Sequence, residues 1–412
     1  LLDLAGTAAV EGLSSLLQLS RQTPPVAPLF CPHPVTGRVT GYQPLTARLE
    51  GQRAVFGLQC RSFLDPEWRD ASLAEMADAY LAALLRQQPD DFIVDEELNF
   101  TPSGAGEHVL LHIEKTGQNT QFVAKQLAEI TGLRARDISY AGLKDRHAVT
   151  RQWFCFKWPI KQALDWQSWQ LTGCTILSMQ RHYRKLRLGA LKANRFTIRL
   201  RQVSDCNDVV QRADKLKQGV PNYYGEQRFG INGGNLTLAE QLFAGGSISD
   251  RKLRGLALSA ARSFLFNQQI SARLAAGLFN TIIDGDVLQL NGTGSVFRTT
   301  QADQQLQQRL DAQDVHITAV LAGIGEPMVS GAAAEFEQAA LVPYHALVKG
   351  LEDYRLKTER RAIRLLPQQL SIQQQGEDMI LSFALPAGCF ATSVLRELVN
   401  YRDCGRQTAD ME

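Results

Sequence analysis

Cysteine is scarce in this 412-residue chain: seven residues, at 31, 60, 155, 174, 206, 389 and 404, an odd number with no Cys-x-x-Cys pair. That spacing excludes a zinc ribbon and a disulfide scaffold, and it suits reduced thiols in a cytoplasmic protein. Long apolar runs are missing too. The longest fall well short of the ~20 residues of a membrane span, so no membrane association is expected. The opening LLDLAGTAAVEG lacks the basic stretch that starts a secretory signal. There is no G-x-x-x-x-G-K-[ST], no G-x-G-x-x-G and no G-x-S-x-G, which removes the usual phosphate-cradling loops and the hydrolase elbow. His108 and His112 stand four apart, but the run between them is strand-like, and a structural or surface role is expected rather than a metal site. Charge of one sign is also not in excess: 44 Lys and Arg against 42 Asp and Glu give a net +2. Any partner preference must come from how charge is distributed.

What is present reads as a mixed α+β protein of at least two globular units. Residues 1–80 are unassigned, with a Pro-rich stretch (RQTPPVAPLFCPHPVTG) and short strand candidates such as RAVFGLQC. From Gln87 the patterns sharpen. DDFIVDEEL and EHVLLHIEK have strand length and apolar content, and QWFCFKW is a third candidate. NTQFVAKQLAEITG predicts a helix capped by Asn119, with Val123, Leu127 and Ile130 on one stripe and Gly132 as its stop. In ANRFTIRLR, Asn194, Phe196, Ile198 and Leu200 alternate with Arg195, Thr197, Arg199 and Arg201, the period of a half-covered strand. Asn207 is expected to cap a helix running to Lys217, and LALSAARSFLFNQQISARLAAG is the longest amphipathic helix, ending near Gly277.

Two segments stand out chemically. Residues 181–201 hold Arg181, Arg184, Lys185, Arg187, Lys192, Arg195, Arg199 and Arg201 without one carboxylate. Such a stripe fits a phosphate backbone, or equally a solvated face balanced by the acidic DDFIVDEE. Tyr183 and Phe196 lie within it, and Tyr223, Tyr224 and Phe229 lie in a Gly-rich loop, where stacking on a nucleobase is worth about 1–3 kcal/mol per ring. The second segment, AGLKDRHAVTRQW, packs Lys144, Asp145, Arg146 and His147 ahead of a strand. An aspartate flanked by cations stays ionised, which suits nucleophilic or electrostatic work rather than general-acid work. A charged, solvated turn is the competing reading of the same spacing.

The ordered stretches QQPDDFIVDE, GAGEHVLLHIEKTGQNTQFVAKQLA, ISYAGLKDRHAVTRQWF, HYRKLRLGALKANRFTIRLR, GVPNYYGEQRFG, LSAARSFLFNQ, DGDVLQL, LLPQQLS and LPAGCFATSVLREL resemble the TruD family of tRNA pseudouridine synthases. They run from about Arg86 to about Asn400. The resemblance implies a pseudouridine synthase catalytic domain with a mixed sheet (81–219 and 368–412) interrupted by an α+β TRUD insertion domain (220–367), with RNA in the cleft between them. It implies an isomerase acting on the uridine at position 13 of tRNA without metal or organic cofactor. Asp145 carries over as the catalytic aspartate and Lys144 as its cationic neighbour. Phe92, Asn194, Phe196 and Phe390 are implied around the target base, and Arg181, Arg184, Lys185, Arg187 and Lys192 are the candidates for the RNA backbone. A monomer is expected. Arg86 stands where the family has a Lys or Arg, while the family's Gly-Lys-Pro-type segment just upstream is absent. Two other classes remain as alternatives: a non-catalytic RNA-binding protein or RNA chaperone, and a metal-dependent nuclease or small-molecule hydrolase.

Overall fold

The computed structural model describes residues 82–407 and three short strands nearer the N-terminus, Leu16–Gln18, Leu29–Pro32 and Val55–Leu58. By contacts the chain divides into two units, Leu1–Ala83 and Leu84–Glu412. In the first, Val55–Leu58 pairs antiparallel with Leu16–Gln18 and parallel with Leu29–Pro32. The strand expected at RAVFGLQC is this central one. The rest of that unit lies outside the described residues.

The second unit is built on a mixed sheet. Its strands are β1 (Ala83–Leu85), β2 (Phe92–Leu98), β3 (His108–Thr116), β4 (Ser139–Tyr140), β5 (Val149–Lys157), β6 (Cys174–His182) and β7 (Leu191–Arg201). They are joined late in the chain by Gln368–Gln375, Asp378–Pro386 and Tyr401–Asp403. The main path runs Gln368–Gln375, Asp378–Pro386, β7, β2, β5, β3, β6. All neighbours on it are antiparallel except β2 and β5, which run parallel. β1 extends the β2 edge by pairing with β7, and Tyr401–Asp403 pairs with β1.

Register decides which side chains meet. Asn194, Phe196 and Ile198 of β7 oppose Glu96, Val94 and Phe92 of β2. Val94 opposes Thr150 of β5, and Thr150 and Gln152 oppose Lys115 and Ile113 of β3. Paired residues point to the same side, so Phe92, Glu96, Lys115, Thr150, Gln152, Asn194 and Phe196 share one face. Helix α1 (Thr120–Thr131) covers that face further along. Asn119 caps it by accepting from the Phe122 amide, and Gly132 at φ 68° ends it, a left-handed position that costs glycine nothing. Val123 and Leu127 pack onto Val109, Leu111, Ile113, Phe154 and Phe156, each worth about 1.5–3 kcal/mol in burial. Ile130, expected on the same stripe, is 39% exposed, one residue before the helix ends at Thr131.

A further correction concerns helix α2 (Cys206–Leu216): its cap is Asp205, whose carboxylate accepts from the Asp208 amide, not Asn207. Beyond α2, a second sheet takes the order Val296–Arg298, Val287–Leu290, Val315–Leu321, Glu359–Ala362. The long helix α3 (Arg251–Ala275) packs against it through Phe266 and Ile270. Asp250 caps α3 and Gly277 follows it at φ 70°. Among the described residues no helix is long and apolar enough to cross a membrane.

Candidate active site

The loop between β4 and β5 holds AGLKDRHA, and it crosses the polar part of the sheet face just beyond the start of α1. Several buried groups grip it. Thr120, the first residue of α1, donates its hydroxyl to Gln152 Oε1 at 2.9 Å and accepts from the Lys144 amide at 3.0 Å. Gln152 Nε2 donates to the Gly142 carbonyl at 3.4 Å, and Lys115 Nζ donates to the main-chain carbonyl of Asp145 at 2.6 Å. The loop is thereby fixed on both sides of residue 145.

Asp145 points its carboxylate into a cavity of about 470 Å³ lined by Arg86, Leu143, Lys144, His147, Gln227, Gly230, Ile231, Asn232 and Gly405. Its side chain is 20% exposed. Oδ1 accepts from the His147 amide at 3.0 Å, and Oδ2 accepts from Gln227 Nε2 at 2.9 Å and from Arg86 Nη1. Burial by itself pushes this carboxyl up, but the Arg86 charge, the His147 amide and the Gln227 amide outweigh it, leaving the group below its ordinary value. It is an ionised carboxylate at a cavity wall.

Arg86 forms the centre of this arrangement. It follows β1 at φ 57°, a left-handed conformation that costs a non-glycine residue about 1–2 kcal/mol. Its guanidinium is held by Asp145 on one side and on the other by Asp403, which accepts from Nε at 2.9 Å and from Nη2. Burial opposes its charge, yet the two carboxylates hold it more firmly protonated than a free arginine. The same guanidinium lies 5.3 Å from the centre of the Phe92 ring.

Lys144 is placed differently from the expectation. Its ammonium is bound by the fully buried Glu96 at 2.6 Å and is itself 7% exposed, so the cation facing the Asp145 carboxylate is Arg86 and not Lys144. Lys144 still lines the cavity, but its charge is neutralised by Glu96. Phe92 and Phe196 meet edge to face at 5.9 Å and are each 7% exposed, with Phe383 tilted on Phe196 at 5.5 Å. Asn194 shares their face, and its buried Oδ1 has no hydrogen-bond partner among the described residues. Phe390 sits apart from them, 5.8 Å from Tyr224, against the segment that delivers Gln227. None of these four lines the Asp145 cavity itself.

The basic stripe separates into two groups. Arg195, Arg199 and Arg201 pair with Glu97, Asp378 and Asp91, so for them the solvated, balanced face is the correct reading. Arg181 donates to the carbonyls of Gly106 and Trp158. Lys192 is exposed. Arg184, Lys185 and Arg187 are exposed and line a cavity of about 640 Å³ with Asn99, Phe100, His182 and Ala190. That turn connects to the site, because the Gly189 amide donates to the carbonyl of Ala141, where the Asp145 loop begins, at 2.8 Å.

Sequence reasoning missed the roles of Arg86, Gln227, Asp403, Glu96 and Lys115. Glu96 and Lys115 carried one usable signal, a charge at an inward-facing position of an otherwise apolar strand. Gln227 and Asp403 carried none. The histidine pair lies on β3 as expected, with His112 stacked on Trp153 at 4.5 Å. Among the described residues no three His, Cys, Asp or Glu side chains converge as metal ligands.

Comparison with known proteins identifies what the chain resembles. The family model for tRNA pseudouridine synthase D (TruD) matches residues 78–247 and 244–398. A tRNA pseudouridine synthase D from Colwellia psychrerythraea is 46% identical over 333 residues, covering 78% of this chain and 91% of that protein. A crystal structure of a Methanosarcina mazei protein assigned as tRNA pseudouridine synthase D superposes with a TM-score of 0.60 at 20% identity, covering 77% of this chain and 93% of that one. The last comparison bears on the fold, and the mixed α+β architecture agrees with it.

Proposed function

Because the chain belongs to the tRNA pseudouridine synthase D family and is a tRNA pseudouridine synthase, we propose that Asp145 is its catalytic carboxylate and that the uridine at position 13 of tRNA is its target. The reaction breaks the C1′–N1 glycosidic bond, turns the base and joins C1′ to C5. The C5 proton leaves to solvent and N1 gains one, so no redox step and no external reagent enters. An ionised carboxylate with access to a cavity of nucleoside size is the group this chemistry requires. The observation that carries the reading is the Asp145 carboxylate, held charged by Arg86 yet one-fifth exposed at the wall of a cavity of about 470 Å³.

The target base must leave its stack, at a cost of a few kcal/mol, before it reaches Asp145. Gln227 then has to release Oδ2, since the reacting ribose or base needs that lone pair. Gln227 belongs to the region 220–367 that we take as the insertion domain, and Asp145 to 81–219, so the cavity lies where an RNA cleft between them would be. Phe92, Asn194, Phe196 and Phe390 do not line this cavity, so their place around the base requires that RNA binding first expose them. The exposed Arg184, Lys185 and Arg187 turn, with Lys192 and Arg181 beside it, would carry the RNA backbone toward the loop.

Asp145→Asn tests this reading. The variant is expected to bind tRNA with nearly unchanged affinity and to release no tritium from tRNA labelled at uracil C5. Turnover retained by Asp145→Asn would remove the residue from this role. Mapping pseudouridine by mass in tRNA from cells with and without the gene locates the target position. If only positions other than 13 lose the modification, the proposed target is wrong. A non-catalytic RNA-binding protein, the alternative, would leave every uridine unaltered.

A further inference from the structure

Lys115 is a fully buried lysine, and among the described residues no carboxylate contacts its ammonium. It stands on β3, where its neighbours Val109, Leu111 and Ile113 on the same face are core residues. Its three N–H donors meet two main-chain carbonyls, Gln118 at 2.7 Å and Asp145 at 2.6 Å. Burying an ammonium without a counter-ion in contact is costly, and two short bonds to carbonyls compensate only in part. Simple stability would favour a leucine or methionine here. The lysine instead ties the end of β3 and the turn before α1 to Asp145, whose carboxylate faces the cavity.

We infer that Lys115 is a positioning residue for the isomerisation: its ammonium holds the main chain of Asp145, and with it the carboxylate, at the cavity wall. The inference rests on the reading of Asp145 as the catalytic group. An aspartate side chain is short, so a displacement of its backbone moves the carboxylate by nearly the same amount, and a 1 Å misplacement can cost on the order of 10²-fold in rate.

The charge on Lys115 is within reach of titration. Burial lowers it to about 8, the Asp145 carboxylate works in the opposite direction, and the Lys144 ammonium adds to the lowering. Those three groups are the ones that face it, Asp145 and Lys144 from the loop and Cys174 from β6. Cys174 is itself pushed up to about 11 and stays a neutral thiol in this range. As pH rises through about 8 the amine loses the charge that strengthens both carbonyl bonds. The sign for stability is opposite: a lysine whose folded pKa is depressed is relieved of its burial cost as it deprotonates, so the fold gains from Lys115 between about 8 and its ordinary 10.5. Loss of rate without loss of stability on the alkaline side distinguishes positioning from a purely structural role.

The experiment measures single-turnover rate and tRNA affinity against pH for the full chain and for Lys115→Arg and Lys115→Met. The full chain is expected to lose rate as pH rises past about 8, with tRNA affinity unchanged and the melting temperature not lowered by that step. Lys115→Met is expected to bind tRNA within about threefold of the parent and to turn over on the order of 10²-fold more slowly. Lys115→Arg, which cannot deprotonate, is expected to keep a reduced rate that no longer falls near pH 8. Should Lys115→Met fail to fold, the Lys115→Arg profile alone decides. An alkaline decline unmoved in Lys115→Arg, or a parental rate in Lys115→Met, overturns the inference. Either result beside an inactive Asp145→Asn leaves the catalytic reading intact, whereas an active Asp145→Asn defeats that reading first.

Discussion

Replacing Arg86 with methionine probes the charge balance on which the site depends. The guanidinium lies between Asp145 and Asp403 with its side chain 3% exposed, and the two carboxylates are 20% and 12% exposed. Methionine keeps an unbranched apolar stem beside Phe92, so the substitution removes the charge and little packing. Removing one partner of a buried ion pair costs about 3–5 kcal/mol, because it leaves charge behind without compensation. Both carboxylates keep some access to water, which places the expected loss near the lower end, about 3 kcal/mol. At ~2–4 °C per kcal/mol for a unit of a few hundred residues, the melting temperature should fall by roughly 6–12 °C. In the parent the Asp145 carboxyl lies below its ordinary 3.8. Its ionised form therefore stabilises the fold above that value, and the contribution is lost as pH falls through the lower folded pKa. Without Arg86 burial dominates and the carboxyl moves up. Ionisation then becomes a cost, and the acid side of the rate profile shifts toward neutral pH. Arg86→Lys restores one charge but not the fork that reaches both carboxylates, and should fall between parent and methionine in both measurements. Thermal unfolding and tritium release, followed from acid to mildly alkaline pH, measure the two effects. A parental melting temperature together with an unmoved acid limb in Arg86→Met would show that Arg86 does not set the state of Asp145.

Glu96→Gln leaves the Lys144 ammonium buried opposite a neutral amide, and a destabilisation of about 3 kcal/mol or more is expected by urea denaturation. A loss under about 1 kcal/mol would mean that the pair contributes no more than an exposed one. Arg184→Ala and Lys185→Ala should each reduce the slope of log affinity for tRNA against log salt by about one unit, as each lost phosphate contact requires. Arg195→Ala, paired to Glu97, should leave that slope unchanged. Equal slopes for all three variants would return the 184–187 turn to the solvated-face reading.

The local sequence determined the elements. Alternation along ANRFTIRLR produced the buried Phe196, Ile198 and Leu200 against the paired Arg195, Arg199 and Arg201. Asn119 and Gly132 bounded α1 because capping needs only residues within one turn. The family motifs placed Asp145 ahead of any geometry, since its loop is a contiguous run. Capping also shows the limit of such reading. Asp205 and Asn207 are both able caps two residues apart, and the helix starts at the first of them.

Only the tertiary structure decided who surrounds the carboxylate. Arg86, Gln227 and Asp403 lie 59, 82 and 317 residues from the groups they bind in chain order. No periodicity carries information over such separations. Lys144, adjacent in sequence, is bound by Glu96 of β2, while a left-handed Arg86 brings the cation that faces Asp145 in from elsewhere. Pattern fixes what a residue does to its own element. Electrostatic environment is a property of packing in three dimensions, and it exists only once distant segments have been brought together.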